Sequence, residues 1–210
     1  AATRKGGTGP PPPTPPASPC LCHRFVAPVV PSVAGGDCTR VRATVAPPMR
    51  SPPTLRAWLD AEPFALAMSS GCFGFYAHAG ALTALLDAGF VPSRAAGSSA
   101  GALVTGLWSA GVSPLRLRDR LETLRREHFW DPSPGPGLLR GRRFRAMLDD
   151  LAPGARIESA PIPWSASVFD LRTRRTTVAA RGSLTTAVHA SCAVPVLFHP
   201  VWIDGRPYAD

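Results

Sequence analysis

The sequence predicts an α/β fold, a three-layer α/β/α sandwich, and three observations predict it. A short apolar run, a glycine turn and a helix follow one another twice between residues 64 and 111. Helical and strand periodicities then keep alternating as far as residue 210, the pattern of helices layered on a sheet. This alternation begins only where a proline-rich leader ends, so one domain is expected at 56–210, after a leader at 1–55.

The elements follow in order. Phe64 to Met68 is a short apolar run ending at Ser69-Ser70-Gly71, a buried strand entering a turn. Residues 76 to 88 repeat Ala79, Leu82, Leu85 and Leu86 at helical spacing, and Gly89 stops the helix. Ala95-Ala96 leads into Gly97, and Ala102, Leu103, Leu107 and Trp108 continue as a second helix to Gly111. A third helix is predicted from Pro114 to His128, with Leu115, Leu117, Leu121 and Leu124 inward. After the turn-rich stretch from Trp130 to Gly137, a fourth is predicted over 142–151. Residues 162–169 and 175–180 read as strands, 183–191 as a helix, and 201–208 as a hairpin turning at Asp204-Gly205.

The leader is different in kind. Thirteen of the 25 prolines lie before residue 55, with a polyproline tract at Pro10 to Pro16, and such a stretch cannot bury enough apolar surface to offset its chain entropy. It is expected to be disordered or weakly ordered. Of the formal net charge of +9, seven bases (Arg4, Lys5, Arg24, Arg40, Arg42, Arg50, Arg56) against Asp37 fall up to residue 56. Only about a third of the excess is left for the folded part, which argues against a nucleic-acid partner. Two origins stay open for the leader: an organelle transit peptide, implying a plastid or other organelle, or an untranslated stretch before Met49, implying a cytoplasmic or peripheral membrane protein. The five cysteines lack a repeating spacing and suggest no disulfide framework. Cys20-Leu21-Cys22-His23 has no second ligand pair, so no metal or other cofactor is expected. No window of about 18 apolar residues is present, so a membrane substrate would be met from the surface.

Chemistry is carried first by Gly97-Ser98-Ser99-Ala100-Gly101. The G-x-S-x-G form puts a serine at the apex of a sharp strand-to-helix turn, where side chains at 97 and 101 would collide and the hydroxyl is left at a helix amino terminus. The setting, after an apolar run and before an apolar helix, is the one a nucleophile elbow needs. A second turn, Ser70-Gly71-Cys72-Phe73-Gly74, lies at the carboxyl end of the preceding strand, where an open α/β sheet places its site. The N–H groups of Gly71, Cys72 and Gly74 are therefore the candidate oxyanion donors. Read as a phosphate loop, the same turn lacks its lysine.

These residues resemble those of the patatin-like phospholipases. Ser69 to Gly89 looks like the family's oxyanion segment and following helix, and Gly97 to Gly101 like its elbow. Ala190-Ser191-Cys192-Ala193-Val194-Pro195 and Phe198-His199-Pro200 are similar to the segment before its aspartate. Ile203 to Asp210 looks like the hairpin leading into its Asp-Gly-Gly or Asp-Gly-Ala motif. The resemblance implies a patatin-like sandwich over residues 64–210, with its carboxyl-terminal part missing because the sequence ends before the glycines of that last motif. It implies an acyl-hydrolase of phospholipid, galactolipid or acylglycerol esters using a Ser-Asp dyad, with Ser99 as nucleophile and Asp210 as its direct base. Asp204, followed by Gly205, is the competing base but sits where the hairpin should turn.

Phe73 and Phe75 flank Gly74 where many family members carry a cation. That departure keeps a lipid-binding pseudoenzyme among the readings, and an acyltransferase would use the same elbow. His78, His189 and His199 allow a Ser-His triad, but nothing in their spacing points at Ser99. The arginines of residues 116 to 145 suit either solvated helix faces or anionic headgroups at a peripheral membrane contact.

Overall fold

The computed structural model describes residues 53–210; the proline tract, Cys20 to His23 and Met49 lie outside that range. Helix α1 (Leu55–Ala61), capped by Thr54, precedes strand β1 (Ala65–Met68). Helix α1 was not expected: none of its residues is buried, so it shows no apolar face. After the turn at 69–74 comes α2 (Phe75–Asp87), where Gly89 at φ 86° lets Gly89 N–H and Phe90 N–H close back on Leu86 and Leu85. Strand β2 (Arg94–Ser98) runs through Ser99 into α3 (Ala100–Ser109), which Gly111 closes in the same way on Trp108 and Leu107.

Helix α4 (Pro114–Glu122) begins as predicted, with the Ser113 hydroxyl accepting from Arg116 N–H and Pro114 in the first turn. It ends six residues earlier than expected. The Thr123 hydroxyl turns back onto the Asp119 and Arg120 carbonyls, Arg125 is extended, and the chain resumes only as a 3₁₀ turn at Arg126–His128. The stretch expected to be loop carries β3 (Gly137–Leu139), and α5 (Arg142–Leu151) matches its predicted span. Then come β4 (Trp164–Asp170), β5 (Arg175–Ala179), α6 (Leu184–Ser191), β6 (Val196–Phe198), β7 (Val201–Ile203) and β8 (Arg206–Ala209). The hairpin of β7 and β8 turns at Asp204 and Gly205, both at positive φ, as predicted.

The fold is α/β: a six-stranded mixed sheet in the order β1-β2-β4-β8-β7, with β5 also on β4, and a small parallel pair of β3 with β6. Helices α3 and α6 pack on the sheet and on each other, with α2 and α4 outside α3 and α5 outside α6. Every residue of α3 is buried, which its small Ala, Gly, Thr and Ser side chains permit. At Gly106 a Cβ would lie 2.7 Å from Val188 and 2.9 Å from Trp164, so glycine is what lets α3 sit this close to α6 and β4. Leu82, Leu103, Leu107, Leu117, Leu148 and Trp164 belong to one continuous core around this helix.

The register of β4 decides where the two candidate catalytic groups go. Parallel β2 pairs Ser98 with Ser167, and antiparallel β8 pairs Ala209 with Phe169. Strand β5 already occupies the opposite edge along Ala166 to Asp170, so β2 and β8 approach along the same edge of β4 from opposite directions. One further residue on each brings Ser99 and Asp210 to the level of Val168. The start of β8 is anchored to the end of β4, where the Asp170 carboxylate accepts from the Arg172 and Thr173 N–H groups and faces the Arg206 guanidinium at 3.6 Å.

Candidate active site

Ser99 has φ 51° and ψ −119°, backbone angles that a non-glycine residue adopts only under strain. The strain has a visible cause in packing. A Cβ at Gly97 would lie 2.4 Å from Gly101 C and Ala102 N, and one at Gly101 would lie 2.2 Å from Met68 O on the neighbouring strand. The elbow is thus pinched both against its own helix and against β1. Ser99 is 8 % exposed and makes no capping bond to the first turn of α3. Its hydroxyl is left for chemistry, and the N–H groups of that turn, Ala100 first among them, are the orphan donors any helix start carries.

Asp210 follows β8 and is fixed by its N–H to Ala193 O at 3.0 Å. Burial pushes its carboxyl above the ordinary range, while hydrogen bonding from the Ser99 side chain, which it faces, pulls the other way. The strand register brings Ser99 and Asp210 to the same level of β4. Asp204 is elsewhere: it is exposed in the hairpin turn at φ 48°.

The glycine turn lies beside the elbow, since Ser70 Oγ donates to Ser98 Oγ at 2.9 Å and Met68 pairs with Gly97. One expectation needs correction. The Gly74 N–H closes the turn on Gly71 O at 2.7 Å, so it is committed and does not point at a substrate. Among the described residues Gly71 and Cys72 N–H have no acceptor, which leaves them as candidate donors. The histidines have other partners or none: His78 Nε2 contacts Ser69 O at 2.9 Å and steadies the turn, and His199 Nε2 contacts Ser133 O at 3.3 Å. His189 is 7 % exposed, with an Nε2 that has no partner among the described residues.

Two residues near the site carried no role in the sequence. Ser191 Oγ accepts from Ser99 N–H at 2.8 Å and donates to Ser167 O at 2.7 Å, and the Cys192 thiol donates to Ser99 O at 3.2 Å. Burial, with the nearby Asp210 carboxylate adding to it, pushes the Cys192 thiol far up, so it stays protonated as a donor. The resemblance drew attention to this segment, but no periodicity or spacing could reveal contacts between residues 92 and 93 apart. Clefts of about 300 and 470 Å³ exist elsewhere, beyond the carboxyl end of α3 and beside the start of α6. Neither includes Ser99 or Asp210, and the elbow's chemistry outweighs cleft size in locating the site.

An α/β sheet with a strained serine at a strand-to-helix crossover and an aspartate arriving on the same strand edge defines a class of α/β folds built around an elbow turn. Within that class, the family model of the patatin-like phospholipases matches residues 66–210, and the chain belongs to this family. Uncharacterised NTE family proteins of Mycobacterium bovis and Mycobacterium tuberculosis are 35% identical over 172 residues, covering 77% of this chain and 46% of theirs. The chain thus spans about half the length of these relatives. The crystal structure of VipD from Legionella pneumophila shares the fold, with a TM-score of 0.57 at 17% identity over 71% of this chain and 46% of that one.

Proposed function

We infer that the protein is a lipid acyl-hydrolase that cleaves a carboxylic ester through an acyl-Ser99 intermediate, with Asp210 as the base. The observation that carries this reading is the strand register that sets Ser99 and Asp210 at one level on the same edge of β4. Asp210 takes the hydroxyl proton as Ser99 Oγ attacks the ester carbonyl carbon, and the carbonyl pair moves onto oxygen. Ala100, Gly71 and Cys72 N–H groups stabilise that oxyanion, each worth about 3 kcal/mol in the transition state. Collapse expels the alcohol, which takes the proton back from Asp210. Water, deprotonated by Asp210, then attacks the acyl-serine, releasing the fatty acid and restoring the hydroxyl. A carboxylate raised above its ordinary range is a better base for this purpose. An apolar substrate is supported by exposed Phe73 on the glycine turn and exposed Val194, Val196 and Leu197 just beyond Cys192, a rim suited to a lipid surface.

In the full-length protein, Ser99→Ala and Asp210→Asn should each lower p-nitrophenyl ester turnover by at least about 10⁴-fold while circular dichroism stays native. The Ser99→Ala protein should also resist fluorophosphonate labelling, and labelling that persists would refute the assignment. The acid limb of kcat/KM should lie above the ordinary aspartate value of about 3.9, because the base works only when ionised. The cation-free turn, with Gly74 N–H committed to Gly71 O, favours one second reading, a lipid-binding member without turnover. Lipid binding with no burst of ester cleavage would select it.

A further inference from the structure

The backbone of Ser99 is held at both ends by consecutive residues. Ser191 is 0 % exposed and its hydroxyl has two bonds, one from Ser99 N–H and one to Ser167 O on β4. Cys192 supplies a thiol hydrogen to Ser99 O. The next residue, Ala193, accepts the Asp210 N–H at 3.0 Å. Three successive positions at the end of α6 therefore grip the nucleophile's N–H, the nucleophile's carbonyl and the base's N–H.

We propose that Ser191, Cys192 and Ala193 form a positioning device that sets the separation and orientation of Ser99 and Asp210, resting on the dyad reading given above. The physical need is plain. Ser99 is strained, and a residue in a sparsely populated region stays there only if its surroundings over-determine it. A dyad with no intervening imidazole depends on one hydrogen bond, for which a displacement of about 1 Å can cost about 100-fold in rate. Ser191 also joins the elbow to β4, the strand along which β8 delivers Asp210, so one hydroxyl references both partners to the same sheet edge. The thiol suits its place because it remains a neutral donor beside a carboxylate, where an ionised group would repel Asp210 and leave Ser99 O without its second donor.

The test uses the full-length protein in four forms: wild type, Ser191→Ala, Cys192→Ala and Cys192→Ser. Ser191→Ala should lower kcat about 10- to 100-fold with KM unchanged. It should also move the acid limb to higher pH, because Asp210 loses part of the Ser99 hydrogen bond that holds its carboxyl down. Cys192→Ala should lose about tenfold, and Cys192→Ser, which keeps a donor, should stay within about threefold of wild type. Ser99 amide hydrogen exchange should be at least about tenfold faster in Ser191→Ala, a readout that needs no turnover. A folded Ser191→Ala with kcat within twofold, an unmoved acid limb and unchanged Ser99 exchange would overturn the proposal. If Ser191→Ala does not fold, the cysteine pair decides: equal activity of Cys192→Ala and Cys192→Ser overturns it, and rescue by serine alone supports it. Wild type that cleaves no ester would instead remove the acyl-hydrolase reading, while the exchange measurement would still decide the positioning role.

Discussion

At the scale of single residues, Ser99 shows how tight packing of a strand-to-helix turn is stored as backbone strain. Its φ of 51° is natural only for glycine, so Ser99→Gly should remove the hydroxyl and relieve the strain together. The variant should be inactive yet more stable by about 1 kcal/mol, read as a higher urea midpoint; a lower midpoint would mean that the hydroxyl's contacts outweigh the strain. The elbow turn and its flanking glycines were legible because steric need dictates residue type: a Cβ at 97 or 101 has nowhere to go. Asp210 was singled out only through the resemblance. The resemblance named the segment that holds Ser191 but not its contacts, since a buried serine with two bonds looks in sequence like any serine at a helix end. Gly74 was misread because glycine at a turn marks the turn's geometry and says nothing of where its N–H points.

At the scale of elements, periodicity recovered what has an apolar face. Helix α5 and the strands of the main sheet came out close to their spans, and helices α2, α3 and α6 within a residue or two, because capping glycines and serines punctuate them. What escaped has no such face. Helix α1 buries nothing, and β3 and β6 are three residues each, held by pairing with a distant partner rather than by pattern. The end of α4 was lost because Thr123 bonds its own helix carbonyls, a choice that leucine spacing cannot express. Strand β1 presses closely on the elbow at Gly101, where a Cβ would lie 2.2 Å from Met68 O. Gly101→Ala forces backbone against backbone, which no rotamer change relieves, so it should destabilise by about 3 kcal/mol or more and give little folded protein on expression. A soluble Gly101→Ala with native melting would show that β1 can retreat.

At the scale of the whole molecule, His189 ties α5, α6 and β6 through edge contacts with Phe144 and Phe198. Burial depresses its pKa from the usual 6.5 to about 4, Arg145 adding to this and Asp131 and Asp149 opposing it. A depressed histidine contributes stability that is full above the unfolded value of 6.5 and is lost as pH falls toward 4. The loss should reach on the order of 3 kcal/mol. Asp210, shifted upward, works in the opposite sense, so the comparison of wild type with His189→Leu isolates the histidine. Urea midpoints from pH 7 to 4.5 should fall less in that variant, and parallel curves would exclude the effect. The delivery of Asp210 by the strand that runs back along β4 also orders events in time. During synthesis at about 5–20 residues per second, the Ser99 hydroxyl emerges roughly 5–20 s before Asp210 is even made. Until β8 docks against β4, the nascent chain carries the strained elbow serine without the carboxylate that the finished sheet edge sets beside it.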